Sequence, residues 1–379
     1  LPTIVLARAL TYQFQGRIFR RGEPQEIDES AYLFLLSQGF IDPGHEIQVV
    51  HPSKLSKAPP GTEVPVIRTG GLGDVLMVLP GLRELARRYP RLRFTYATSA
   101  AFVPLLRDCL QAAGGFLYRA IALSELHGRQ QWAIDLRGYS ERENRERDDR
   151  PAVFARYLLS GGMPGDWTYP IKARPDELAY GRALTGALDH HQPVLGIVDG
   201  SHSQDGMRNW PTEYVERLAD LAFERGVRSV ILDDRVRPVT ARLAAAGVRS
   251  LAGHLTVPMF MAVLGSLDFL ATPDTGALHL AEALGVRTVG YFTTIPPAAR
   301  AAHYRYVRTL YAGVPCAPCY HAPTCGLPPG GTKCAQAVTP ARVWQEIEWM
   351  ARTRPPYDYR ASLEGPQPQP VTFQYAEAH

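Results

Sequence analysis

From residue 64 onward, short apolar runs alternate with stretches whose apolar positions recur every three or four residues. Residues 64–67, 93–97, 116–118 and 132–136 read as strands. Between the first two, Leu82, Leu85, Ala86 and Tyr89 line one face of a helix. The polar stretch 170–192 holds Pro175 and ends in His190-His191-Gln192, so it reads as a join between domains with a helix inside it. The alternation then restarts, with strands predicted at 194–198, 227–232, 267–271 and 286–292 and helices at 212–225, 238–246 and 277–284. Continuous apolar strands interleaved with helices make parallel sheets covered on both faces. Two such runs predict an α/β chain of two Rossmann-like, doubly wound domains facing each other across a cleft. Ligands of such folds lie at the carboxyl ends of the strands. A last helix is predicted over 340–352, where Pro340 opens the first turn and Val343, Ile347 and Met350 keep helical spacing.

The flanks follow other patterns. Tyr12, Phe14 and Ile18 alternate with polar residues around Gly16, as in a hairpin. Asp28-Glu29-Ser30 then gives a helix start, Tyr32, Leu33, Leu35 and Leu36 an apolar face, and Gly39 a stop. The expected organisation is a small N-terminal α+β unit at 1–60 and a first Rossmann-like domain at 61–185. A second follows at 186–350, with a cysteine-rich loop at 315–335, and then a proline-rich tail at 351–379.

Composition narrows the classes. With 379 residues, 45% of them hydrophobic, the chain can bury two cores. Its formal net charge of +4 suits an anionic ligand and is too small to argue for nucleic acid. No apolar run reaches the roughly 18 residues of a membrane span. The first residues lack a signal-peptide pattern, so a cytoplasmic place is expected. Four of the five cysteines fall between 316 and 334, which is not how a disulfide framework spreads over a chain of this length. Cys109, in a helix-like stretch, reads as a small buried hydrophobe.

Three loops carry candidate chemistry. In the first, Gly70, Gly71 and Gly73 follow the strand and Asp74 stands where a helix begins, with Pro80 marking a kink or a fresh start. Asp74 either caps the helix or projects as a general base that deprotonates an attacking hydroxyl. In the second, a polar loop runs from Asp199 to Arg208-Asn209-Trp210-Pro211. Arg208 is either a solvated charge or a bidentate partner for a phosphate, with Ser201 and Ser203 as further donors. In the third, Asp274-Thr275-Gly276 turns into a helix whose free amides suit a diphosphate, with His279 one turn on. The alternative there is a capped helix with a packed histidine. Asp233-Asp234 ends a strand and could meet a ribose, although surface solvation is the plainer reading. Cys316, Cys319, Cys325 and Cys334 give C-x2-C-x5-C-x8-C, which can close a tetrahedral zinc or iron site, or stand as reduced thiols or a disulfide.

Together these loops resemble glycosyltransferase family 9, the heptosyltransferases of lipopolysaccharide core synthesis. The glycine loop with Asp74, the Arg208-Asn209-Trp210-Pro211 run and DTGALHLAEALG occur in the family's order over roughly residues 64–350. Asp199 departs from the family's usual proline. The resemblance implies a GT-B fold and a base at Asp74. It implies a donor pocket of Asp274, Thr275, Gly276 and His279 helped by Gly71, Gly73, Ser201 and Ser203, and a leaving diphosphate met by Arg208. It further implies inverting transfer from ADP-heptose with no cofactor or donor-bound metal. The acceptor is left open among a glycan, a protein hydroxyl and another polymer such as phage DNA, and so is an oligomer. The N-terminal unit and the cysteines echo an autotransporter-modifying branch that holds iron. A sugar-nucleotide-binding scaffold without catalysis is the alternative from another class. An NAD-dependent enzyme is disfavoured, because Gly-Gly-Leu-Gly-Asp lacks the G-x-G-x-x-G spacing.

Overall fold

The structure is a computed structural model that describes residues 3–4, 11–14, 17–20, 25–26, 47–126, 130–140, 148–186, 192–200, 208–311, 313–319 and 332–357. The chain divides into two compact units, one of residues 1–146 with 150–166 and one of 147–149 with 167–379.

Four short strands come first: β1 (Thr3–Ile4), β2 (Thr11–Phe14), β3 (Arg17–Arg20) and β4 (Gln25–Glu26). Strands β2 and β3 pair antiparallel, which is the expected hairpin. The helix expected after Asp28 lies outside the described residues. The first unit continues with β5 (Ile47–Val49), β6 (Glu63–Ile67), α1 (Leu72–Met77), α2 (Leu79–Arg88), β7 (Arg93–Thr98), β8 (Arg119–Ala122), β9 (Gln130–Asp135) and α3 (Arg150–Leu158). Five of its strands form a parallel sheet in the order β5-β9-β6-β7-β8. Pro80 sits in the first turn of α2, where its missing N–H costs nothing, so it starts a new helix. The strand expected at 116–118 begins later. Leu117 instead makes an isolated parallel bridge with Leu110, through bonds to Cys109 and Gln111, and the ladder with β7 starts at Arg119. Cys109 is buried, and burial pushes its thiol up to about 12.

The second unit contains α4 (Pro175–Thr185), β10 (Val194–Ile197), α5 (Thr212–Glu224), β11 (Arg228–Ile231), α6 (Pro238–Ala245), β12 (Arg249–Ser250) and α7 (Val257–Gly265). It goes on with β13 (Phe269–Pro273), α8 (Gly276–Leu284), β14 (Arg287–Phe292), α9 (Ala298–Ala301), β15 (Val307–Tyr311), α10 (Lys333–Gln336) and α11 (Pro340–Arg352). Its six-stranded parallel sheet runs β12-β11-β10-β13-β14-β15. Leu195, Ile197, Ile231, Phe269, Ala271 and Val289 of this sheet pack with Leu218 and Ala222 of α5 and with Val343 and Ile347 of α11. Removing that much apolar surface from water is the main stabilising term.

Each sheet reverses its winding once. In the first unit the reversal falls between β6 and β9, and in the second between β10 and β13. Strand ends at such a switch point leave a crevice for ligands. Asp74 follows β6, Asp199 follows β10 and Asp274 follows β13, so the candidate loops stand at these two places.

Candidate functional site

In the first unit, the chain turns after β6 through Gly70, whose φ is +115°. A side chain there would also collide with the Asp74 carboxylate, since an added Cβ would lie 2.9 Å from Oδ2. Gly71 and Gly73 adopt ordinary helix-start and helical conformations. The Asp74 carboxylate is occupied on both oxygens. Oδ1 pairs with Arg68 at 3.0 Å and Arg150 at 2.8 Å, and Oδ2 accepts the Gly71 N–H at 3.1 Å. The capping geometry is therefore real, and the side chain is still 18% exposed. Arg68 also donates to the Leu136 carbonyl and lies over the Phe154 ring. Beside them, Arg137 and Asp135 form a buried ion pair at the end of β9. The sequence reading missed Arg68 and Arg150. Arg68 precedes the glycine loop directly, but nothing local points to Arg150, 76 positions away.

In the second unit, Asp274 closes β13 with its side chain 5% exposed. Arg208 Nη1 donates to its backbone carbonyl at 2.9 Å and lies 3.3 Å from Oδ2. His279 Nε2 lies 3.7 Å from Oδ1, while its Nδ1 is hydrogen-bonded to the Tyr304 hydroxyl. Burial works to raise the Asp274 pKa. Arg208, His279 and Arg300 outweigh it and hold the carboxyl well below its ordinary value. Arg208 keeps its side chain 19% exposed and spends only Nη1 on partners among the described residues. Thr275 is the N-cap of α8, yet its hydroxyl lies 3.2 Å from Thr272 Oγ1 rather than capping the helix. The amides from Gly276 onward thus open the helix without a side-chain cap, which suits an anion. His279 itself is buried and packed edge-on to Tyr304.

The Arg208-Asn209-Trp210-Pro211 run is held by Trp210. Its indole donates to the Val338 carbonyl and stacks on Tyr291, with ring centres 4.8 Å apart. Ser201 and Ser203 lie outside the described residues. Asp199 and Asp233 side chains are each 2% exposed, which corrects the surface reading of Asp233; only Asp234 is partly exposed, at 31%. Arg237 sits 3.4 Å from Asp199 and 2.5 Å from Asp233. Burial and the neighbouring Asp199 carboxyl push Asp233 above its ordinary pKa, against the pull of Arg237. The guanidinium also lies where a Cβ on Gly200 would be, so any other residue after Asp199 would have to displace Arg237. The aspartate that departs from the family pattern thus comes with its own buried partners.

Of the four clustered cysteines, Cys325 lies outside the described residues. Cys316 is exposed, Cys319 half-buried, and Cys334 buried with its thiol donated to Thr332 Oγ1. Among the described residues no three His, Cys, Asp or Glu side chains gather as a metal site. Among them, too, no helix is long and apolar enough to cross a membrane.

Two parallel, doubly wound sheets with polar loops at both switch points are the make-up of a GT-B fold. Residues 164–326 match the family model of glycosyltransferase family 9 (heptosyltransferase), the stretch that holds the second and third motifs, in agreement with the resemblance read from them. Lipopolysaccharide heptosyltransferase 1 of Pseudomonas aeruginosa is 24% identical over 304 residues, covering 67% of this chain and 85% of that protein. Among solved structures, the ADP-heptose lipopolysaccharide heptosyltransferase II of E. coli aligns with a TM-score of 0.53 at 18% identity, over 76% of this chain and 98% of that one. The iron-containing dodecameric glycosyltransferase TibC of enterotoxigenic E. coli aligns at 0.59 and 14%, over 77% of each chain. These structural likenesses carry the fold.

Proposed function

We propose that the chain is an inverting glycosyltransferase that moves heptose from ADP-heptose to an acceptor hydroxyl. The observation that supports this most is the end of β13. An uncapped helix N-terminus, an arginine with donors unspent among the described residues and a buried, ionised aspartate meet there at a switch point. In this reading the diphosphate lies against the first amides of α8. Arg208 takes its phosphate oxygens, and Asp274 and Thr275 hold the pocket in shape. His279 acts on the donor through Asp274. Asp74 accepts the proton of the acceptor hydroxyl, whose oxygen attacks the anomeric carbon opposite the departing diphosphate. The leaving charge is met by Arg208 and the helix rather than by a metal ion. ADP-heptose is carried over from the E. coli heptosyltransferase II relative, whose name includes that donor. Lipopolysaccharide, a protein hydroxyl and another polymer all remain within the proposal as acceptors, and an oligomer is compatible with the dodecameric relative.

One observation favours a second reading. Asp74 meets two guanidinium groups and an amide, an arrangement that also serves a purely structural cap. A sugar-nucleotide-binding scaffold would look the same at this point. Release of ADP from ADP-heptose by the purified chain, with and without EDTA, separates the two readings. Asp74→Asn is expected to lower that turnover by about 10²–10⁴, the range of general-base contributions. Undiminished turnover in the variant removes Asp74 from the mechanism, and no turnover in the wild type favours the scaffold. A structural zinc or iron on Cys316, Cys319, Cys325 and Cys334 rests on their spacing alone, and metal analysis of the same sample decides it.

A further inference from the structure

His279 stands on α8 with its side chain 5% exposed and meets a different group at each ring nitrogen. Nε2 faces Asp274 Oδ1 at 3.7 Å, a charge contact too long for a close hydrogen bond. Nδ1 is hydrogen-bonded to the Tyr304 hydroxyl, so the tighter contact of the ring is with the tyrosine. The Tyr304 ring is edge-on to His279, with centres 5.8 Å apart and planes at 85°. Its hydroxyl is hydrogen-bonded in turn to that of Tyr169, whose ring is also edge-on, with centres 6.2 Å apart. All of these residues lie in the second unit. Tyr304 has little freedom of its own. Its ring packs with Leu278 of α8 and with Phe292, Ala301 and Val307. The next two amides, of Arg305 and Tyr306, donate to the Glu282 carboxylate at 2.9 Å each, one turn along α8 from His279. The helix that carries the histidine is thus clipped to the segment that carries the tyrosine.

The directions of these bonds follow from what each group can donate. Asp274 is ionised and only accepts, so a neutral His279 ring carries its proton on Nε2. Nδ1 then accepts from Tyr304, and the Tyr304 oxygen is left to accept from Tyr169. We propose that Tyr304 is a positioning residue: its hydroxyl, backed by Tyr169, fixes the tautomer and direction of the His279 ring and, through the ring, the Asp274 carboxylate at the mouth of α8. The consequence for the donor rests on the proposed reading of that mouth as the diphosphate site; the tautomer of His279 does not.

Nitrogen NMR of the histidine rings in the full chain reads the tautomer without any ligand, and His279→Gln identifies the signal by its loss. The wild type is expected to show a protonated Nε2 and a bare, hydrogen-bonded Nδ1. Tyr304→Phe removes one oxygen and keeps the packed ring. In that variant Nδ1 should lose its hydrogen-bonded shift and the ring should populate both tautomers. Tyr169→Phe should move the signal the same way by less, and carries the test should Tyr304→Phe loosen the chain. A ring signal unchanged in both variants, or a wild-type ring with its proton on Nδ1, overturns the proposal. Calorimetric titration with ADP reads the consequence. Tyr304→Phe is expected to bind about 3–10-fold more weakly, the contribution of one hydrogen bond. The double variant Tyr304→Phe/His279→Gln should bind no more weakly than His279→Gln alone, because the effect passes through the ring; independent, multiplying losses contradict it. Unchanged affinity in Tyr304→Phe removes Tyr304 from the donor site. Failure of the wild type to bind ADP would count against the proposed function, while the ring signal would still decide the tautomer.

Discussion

Asp74 and Asp274 each follow a strand at a switch point and stand at the start of a helix, yet their surroundings differ. Asp74 caps its own helix through Gly71, carries two arginines on one oxygen and stays 18% exposed. Asp274 leaves its helix uncapped, is 5% exposed and shares its charge among Arg208, His279 and Arg300. Partial exposure lets a group exchange a proton with a ligand. Deep burial with counter-charges makes a fixed negative post that aims cations. The same residue type at the mouth of a helix can thus serve in two ways, and the difference lies in partners contributed from elsewhere in the chain.

Removing the buried charge should have the larger structural effect. Asp274→Ala leaves Arg208, His279 and Arg300 facing a void, and breaking a buried pair in this way costs about 3–5 kcal/mol. Thermal or denaturant unfolding should show that loss. A change below about 1 kcal/mol would mean that Asp274 is not the post around which the pocket is built.

A smaller effect sharpens the same contrast from beneath α8. Glu282 is buried, and burial raises its carboxyl from 4.5 to about 7, against the amides of Arg305 and Tyr306 that favour the ionised form. Below pH 4.5 the group is protonated whether the chain is folded or not, and it adds no pH dependence. As pH rises toward 7, the unfolded chain gives up the proton while the folded chain keeps it, so stability falls, and above 7 the loss is complete. The slope is at most about 1.4 kcal/mol per pH unit. Glu282→Gln should flatten stability across this window. An unchanged slope would show that the carboxyl titrates normally in the folded chain.

The sheets were largely legible in the sequence, because parallel strands buried on both faces appear as continuous apolar runs. The helix at Pro340–Arg352 matches its expected bounds for a related reason: a proline start and a clear apolar stripe. Helix α3 was missed, since the charged run before it, 141–149, hides its start. Helix α7 is apolar nearly throughout and shows no stripe to read. The triplet Phe116-Leu117-Tyr118 looked like a strand by composition, but Gly114, in the left-handed region at φ +79°, belongs to the turn before it and delays the ladder. At the site, Asp74, Arg208, Asp274 and His279 were recognisable because each sits in a local motif. Their partners were not. Tyr304 is 25 positions from His279 and Arg150 is 76 from Asp74, and only the folded chain brings them together. Arg237 was hidden differently: it follows Asp233 by four positions, but nothing local shows that it also reaches Asp199.

In the proposed function the two aspartates divide the work, and the diphosphate is held by the Arg208 and Asp274 side alone. Calorimetric titration with ADP reads that division directly. Wild type and Asp74→Asn are expected to bind with the same affinity, and Arg208→Gln about 10–100-fold more weakly, the loss of one charge-assisted phosphate contact. Equal loss in both variants, or no loss in Arg208→Gln, would show that the work is not divided in this way.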